Sequence, residues 1–201
     1  MISLETCEPY FKFVQRYVDL DPGTMEMVAA NTGEVRLPPK HIFLHEGSKC
    51  EKVYFVVSGT ARSYYTDFSG KTITWAFHFN EEASITRNLF ALDYRSFLTN
   101  YPSLITIESL SELKAITFTK AQVAYLIQNS PLYERWMRRL NELAYALMFD
   151  RAFTMLTMSA TERYQKLLKE EPYLLQMFSN YYVASYLGIA PQSLSRIRNQ
   201  H

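Results

Sequence analysis

Apolar positions change texture twice along the chain. Between residues 9 and 30, Phe11, Val14, Val18, Met25, Val28 and Ala29 predict short helices, broken at Asp21-Pro22-Gly23, a strong turn signal. From about Gly33 the apolar stretches become short and rich in β-branched and aromatic residues: 34–37, 41–45, 53–57, 60–66 and 72–79. Pro38-Pro39, Gly47-Ser48, Ser58-Gly59 and Asp67 to Gly70 separate them. Closely spaced short strands with turn signals between them predict a β-sandwich or barrel. Two more strands are expected at 104–110 and 113–119, after an irregular stretch at 81–101 of the kind that often forms a binding loop.

At about Thr119 the period switches to helix, and residues 132–158 contain neither Gly nor Pro. Tyr133, Met137, Leu140, Ala144 and Leu147 alternate at spacings of four and three, as in the seam of a coiled coil, with Arg135, Arg138, Arg139 and Glu142 off the seam. By periodicity the stripe fits either a helix packed on its own domain or an oligomer seam.

The last third reads as shorter helices. Ser159-Ala-Thr-Glu162 has the capping-box pattern of a helix start. Further on, the segment from Val183 to Arg198 holds a short helix, a turn at Leu187-Gly188-Ile189, and a second helix opened by Ala190-Pro191. These are the elements of a helix-turn-helix, whose second helix enters the DNA major groove. Leu187, Ile189, Leu194 and Ile197 supply an internal core and leave Gln192, Ser193, Ser195, Arg196 and Arg198 to project outward. Arg pairs with guanine, Gln with adenine, and Ser with phosphate or a base edge. A helical hairpin with no DNA role has the same outline.

Composition narrows the class. With 48% apolar and 20% charged residues the chain is globular. The net charge of +1 is unevenly spread: 12 basic and 14 acidic groups lie in residues 1–133, against 9 and 6 in 134–201. Cys7 and Cys50 are too few for a disulfide scaffold or a thiolate metal cluster. The start of the chain has no signal-peptide pattern and no run suits a membrane span, so a cytoplasmic protein without membrane contact is expected.

The segment Ala184 to Arg198, preceded by Glu162-Arg-Tyr-Gln-Lys-Leu-Leu-Lys-Glu-Glu-Pro172, closely resembles the C-terminal region of Crp/Fnr-type transcriptional regulators, particularly those of Bacteroidetes. Upstream, Glu46-Gly47, Tyr54-Phe-Val-Val-Ser-Gly-Thr60 and Asp67-Phe-Ser-Gly-Lys71 resemble that family's cyclic-nucleotide-binding jelly roll. The resemblance implies an α+β chain: a sensor β-roll with a helical lead-in over 1–120, a dimerisation helix over 121–151, and a helix-turn-helix domain over 152–201. It implies a homodimer on double-stranded DNA, a small-molecule effector, and RNA polymerase as a further partner. In that context the stripe from Tyr133 to Leu147 becomes the dimer seam, and Arg196 matches the recognition-helix arginine. Gln192 stands where many members carry Glu. The chain ends five residues after Arg196, which leaves little room for a C-terminal wing.

The ligand region departs from the family pattern. Cyclic-nucleotide binders pair the phosphate through an Arg-Ser/Thr-Ala element, and here no Arg stands beside Ser103 and no Gly precedes Glu81 or Glu82. Binding of cyclic AMP in the usual way is not expected. Glu81, Arg87, Arg95, Ser96 and Ser103 are the candidate effector-pocket residues. No cofactor, resident metal or catalytic residue is expected, because no nucleophile–base pair or phosphate loop is present. The alternative is a cupin-type small-molecule- or metal-binding β-roll with helices for oligomerisation, for which His41, His45 and His78 are the candidate ligands.

Overall fold

Asp67 turns the chain between β4 (Ala61–Thr66) and β5 (Thr72–His78) by accepting, through Oδ1, the backbone N–H of Ser69 at 2.9 Å and of Lys71 at 3.0 Å. This is the Asx-type turn that the Asp-Phe-Ser-Gly sequence signals. The computed structural model describes residues 2–82 and 84–199. Six more strands complete the β-roll: β1 (Gly33–Leu37), β2 (Ile42–Leu44), β3 (Lys52–Ser58), β6 (Phe90–Ala91), β7 (Thr106–Ser109) and β8 (Leu113–Thr119). They form two four-stranded antiparallel sheets, ordered β1-β8-β3-β6 and β2-β7-β4-β5. Gly59 makes the step from β3 to β4. Its φ is +84°, and a Cβ there would lie 2.0 Å from the Glu112 carbonyl oxygen, so no other residue fits.

The lead-in starts earlier than residue 9. Ser3 caps α1 (Leu4–Val14) by accepting the Thr6 N–H at 3.1 Å, and Pro9 lies inside the helix. Asp21 caps α2 (Pro22–Ala30) with Pro22 in its first turn. The irregular stretch holds α3 (Thr86–Leu89) and α4 (Tyr94–Thr99), with β6 between them.

The expected single helix over 121–151 is two. Pro131 disfavours helical backbone at the residue before it, so Ser130 is extended (φ −140°, ψ 111°) and ends α5 (Lys120–Asn129). Its hydroxyl then caps α6 (Pro131–Thr157) by accepting the Tyr133 N–H. At 27 residues α6 is about 40 Å long, and the expected boundary between residues 151 and 152 falls inside it. Its first half closes the main core. Trp136 is fully buried, donates its indole N–H to the Tyr10 hydroxyl at 2.8 Å, and meets Phe13 edge-on.

Ser159 and Glu162 form the expected capping box at the start of α7 (Ala160–Glu170). Then follow α8 (Leu174–Met177), α9 (Asn180–Tyr186) and α10 (Pro191–Arg198). These helices do not stand apart from the β-roll. Phe77 of β5 and Phe79 just after it join Tyr164, Leu167, Phe178, Val183 and Leu194 in one core, with the Phe77 and Phe178 rings stacked at 3.9 Å.

Candidate functional sites

A cavity of about 430 Å³ lies between β4 and β5, the segment carrying α3 and α4, and the second half of α6. Its wall is mostly apolar, with Trp75, Phe90, Leu92, Ile105, Leu147 and Met148 prominent. Its polar groups are mostly turned to one another and not to the space. Ser63 Oγ and His78 Nε2 lie 2.6 Å apart, and His78 Nδ1 faces the Arg87 carbonyl at 3.2 Å. With Nδ1 donating to that carbonyl and Nε2 accepting from Ser63, the neutral imidazole satisfies both contacts. Burial supports the same state by pushing the His78 pKa down to about 4. The hydroxyl of Tyr94 is buried without a partner, and burial pushes its pKa well up.

Three arginines line this wall, and two of them, Arg87 and Arg151, are shielded from solvent. Arg87 Nη2 forms a 2.6 Å ion pair with Glu171 Oε1, and Glu171 Oε2 accepts the Tyr186 hydroxyl at 2.8 Å. Arg151 is 4% exposed, and its Nη2 donates to the carbonyls of Thr74 and Tyr186. Its guanidinium lies 3.9 Å from the centre of the Tyr186 ring, a cation–π contact, and burial lowers its pKa. Arg151 escaped the sequence reading. The available signal was that Asp150 and Arg151 are the only charged residues between 143 and 161.

Of the five residues expected at an effector pocket, the cavity gathers Arg87 and Arg95. Arg95 is exposed, donates to the Pro102 carbonyl at 3.2 Å and lies over the Tyr101 ring. Glu81 is exposed and stands off the cavity wall. Ser96 and Ser103 are corrections: both are buried and occupied in holding the backbone. Ser96 Oγ accepts the Cys50 N–H at 3.0 Å, and Ser103 Oγ bridges Asp93 Oδ2 and the Ile105 carbonyl, each at 2.8 Å. His41 and His45 are exposed, His78 is buried, and no cluster of three His, Cys, Asp or Glu exists among the described residues.

The expected seam also needs correction. Tyr133 and Leu140 are buried in the main core, and Met137 packs against it. Ala144 is buried, Leu147 is half-buried, and both line the cavity. The stripe therefore faces the chain's own β-roll. A second stripe, Tyr145, Phe149, Phe153 and Leu156, is exposed at 73, 62, 53 and 85%. Its spacing of four, four and three puts these side chains on one helix face, with Tyr145, Phe149 and Phe153 stacked in succession.

Beside the second half of α6, α9 and α10 meet through a Schellman turn. The Ile189 N–H reaches the Ala184 carbonyl at 3.0 Å, the Gly188 N–H reaches that of Ser185 at 3.0 Å, and Gly188 takes φ +69°. Leu194 and Ile197 point inward, so Gln192, Ser195, Arg196 and Arg198 are exposed while Ser193 is half-buried. Arg198 Nη1 donates to Asn180 Oδ1 at 2.8 Å, and Ser195 Oγ to the Pro191 carbonyl at 3.3 Å. Arg196 makes no side-chain hydrogen bond among the described residues.

Comparison with known proteins places this arrangement. Residues 34–130 match the cyclic nucleotide-binding domain. No match was found among curated proteins. FixK2 from Bradyrhizobium japonicum superposes with a TM-score of 0.66 at 18% identity, covering 84% of this chain and 83% of FixK2. A CooA variant from Carboxydothermus hydrogenoformans gives 0.67 at 13% identity, covering 94% and 83%. CLP, a global regulator from Xanthomonas campestris, gives 0.64 at 15% identity, covering 90% and 91%. Residues 34–130 are thus similar to the cyclic nucleotide-binding domain, and the α+β fold of the chain is shared with transcriptional regulators of the Crp/Fnr family.

Proposed function

We propose that this chain is a homodimeric, sequence-specific DNA-binding transcriptional regulator, with the β-roll as effector sensor and α10 as recognition helix. The observation that carries the reading is the exposed polar face of α10, where Gln192, Arg196 and Arg198 extend from a helix anchored by Leu194 and Ile197. Two such helices bind half-sites about 34 Å apart when the protein is a two-fold dimer. The exposed aromatic face of α6, from Tyr145 to Leu156, is the proposed contact between the two copies, because a contiguous apolar face of this kind marks an interaction surface. The chain acts by binding and carries out no catalysis. No helix among the described residues is long and apolar enough to cross a membrane.

The cavity between the β-roll and α6 is the proposed effector site. Its exposed wall is mostly apolar, which suits an apolar-bodied ligand better than cyclic AMP, whose ribose hydroxyls need polar partners. The function is tested by selecting bound sequences from a random DNA pool with the full chain. Enrichment of an inverted repeat supports the reading, and recovery of unselected sequences contradicts it.

A further inference from the structure

Two of the three arginines of the cavity wall, Arg87 and Arg151, are also the tethers of the helix-turn-helix unit. Arg87 holds Glu171, which holds the Tyr186 hydroxyl, and Arg151 ties the Tyr186 carbonyl to that of Thr74 on β5. Tyr186 is the last residue of α9. Arg151 has no carboxylate within ion-pair distance among the described residues, and its Nε is buried without a partner. A buried guanidinium without an anion is costly, and the Tyr186 ring offsets only part of that cost. Most of the exposed wall is apolar, and the cavity's volume is that of a small-molecule site.

Building on the reading of this cavity as the effector site, we infer that it takes a small organic anion with an apolar body, whose charged group is received by Arg87 and Arg151 in competition with Glu171. An anion that draws Arg87 away leaves Glu171 with only the Tyr186 hydroxyl, so occupancy loosens the hold of the β-roll on α9. A charge-assisted pair to a guanidinium is the strongest polar contact this wall offers.

The test uses two fluorescent probes with the same aromatic body, the anion anilinonaphthalene sulfonate and the neutral N-phenylnaphthylamine, titrated against the full chain. The sulfonate is expected to bind one per chain and at least about tenfold more tightly than the amine. Arg87→Gln and Arg151→Gln should each weaken the sulfonate by about tenfold and leave the amine unchanged. Glu171→Gln, which removes the competitor, should tighten the sulfonate. Ala144→Trp, which fills the cavity from α6, should abolish both. Equal affinity of the two probes for the unmodified chain overturns the inference, whether or not the variants fold. So does sulfonate binding retained in Ala144→Trp, or unmoved in folded Arg87→Gln and Arg151→Gln. DNA titration of the same preparation reads α10 instead of the cavity, so a chain that selects DNA but fails these tests refutes the anion and leaves the regulator reading intact.

Discussion

Arg87 and Glu171 meet at 2.6 Å across the junction between the β-roll and the C-terminal helices, with side chains only 15% and 13% exposed. Removing one member of a shielded pair strands the other, whereas replacing both with apolar residues removes the desolvation cost as well. Arg87→Met alone should therefore destabilise the chain by about 3 kcal/mol, and the Arg87→Met/Glu171→Met double variant by clearly less than the two singles together. Denaturant unfolding of the four proteins measures this. Additive losses would mean that the pair contributes no coupling.

His78 gives the stability a pH dependence of known sign. Its pKa is lowered from 6.5 to about 4 in the folded chain because burial disfavours the imidazolium. Below pH 6.5 the unfolded chain takes up a proton that the folded chain refuses. The contribution is therefore fully present above pH 6.5 and is lost as pH falls toward 4, by roughly 3 kcal/mol in all. His78→Gln, which keeps an acceptor for Ser63, should flatten the slope of unfolding free energy between pH 6.5 and 5. An unchanged slope would mean that His78 is protonated in the fold.

The two faces of α6 respond differently to charge. Phe149→Glu, on the exposed aromatic face, should shift the mass in sedimentation equilibrium from dimer to monomer with the fold retained. Leu140→Glu places a carboxylate in the main core and should unfold the chain instead. A dimer that survives Phe149→Glu would exclude this face as the contact.

The two stripes of α6 cannot be told apart by spacing. Tyr133, Met137, Leu140, Ala144 and Leu147 have seam spacing, but a helix lying on a sheet domain needs the same spacing. Which apolar face meets which surface is decided by tertiary packing, and Trp136 against Tyr10 decides it here. Features set by neighbouring residues were legible: the Asp67 turn, the capping box from Ser159 to Glu162, and the Gly188 turn before Pro191. The cavity was not, because Ser63, His78, Tyr94 and Arg151 come from four separate elements and no local spacing links them. Nor was the partner of Arg87 legible, because Glu171 stands 84 positions away.

Cyclic AMP should not bind at micromolar concentration by isothermal calorimetry. No arginine adjoins Ser103, whose hydroxyl is committed to Asp93 and the Ile105 carbonyl, and the exposed cavity wall offers mostly apolar surface to a ribose. A micromolar dissociation constant would show that Arg87 or Arg95 pairs the cyclic phosphate.

The most direct measurement of the account is a salt-controlled titration of the full chain, Arg196→Ala and Arg198→Ala against a selected inverted repeat and random DNA. Arg196 is the exposed long donor of α10 without a side-chain hydrogen bond among the described residues, whereas Arg198 is held by Asn180 near the helix end. A bidentate Arg–guanine pair contributes about 1–3 kcal/mol of discrimination. Arg196→Ala should weaken the selected site by roughly ten- to a hundredfold and relax one base per half-site. Arg198→Ala should weaken all sequences alike and lower the salt slope by about 1. Equal, sequence-independent losses in both variants would reduce Arg196 to a backbone contact, and full binding without it would contradict α10 as the recognition helix.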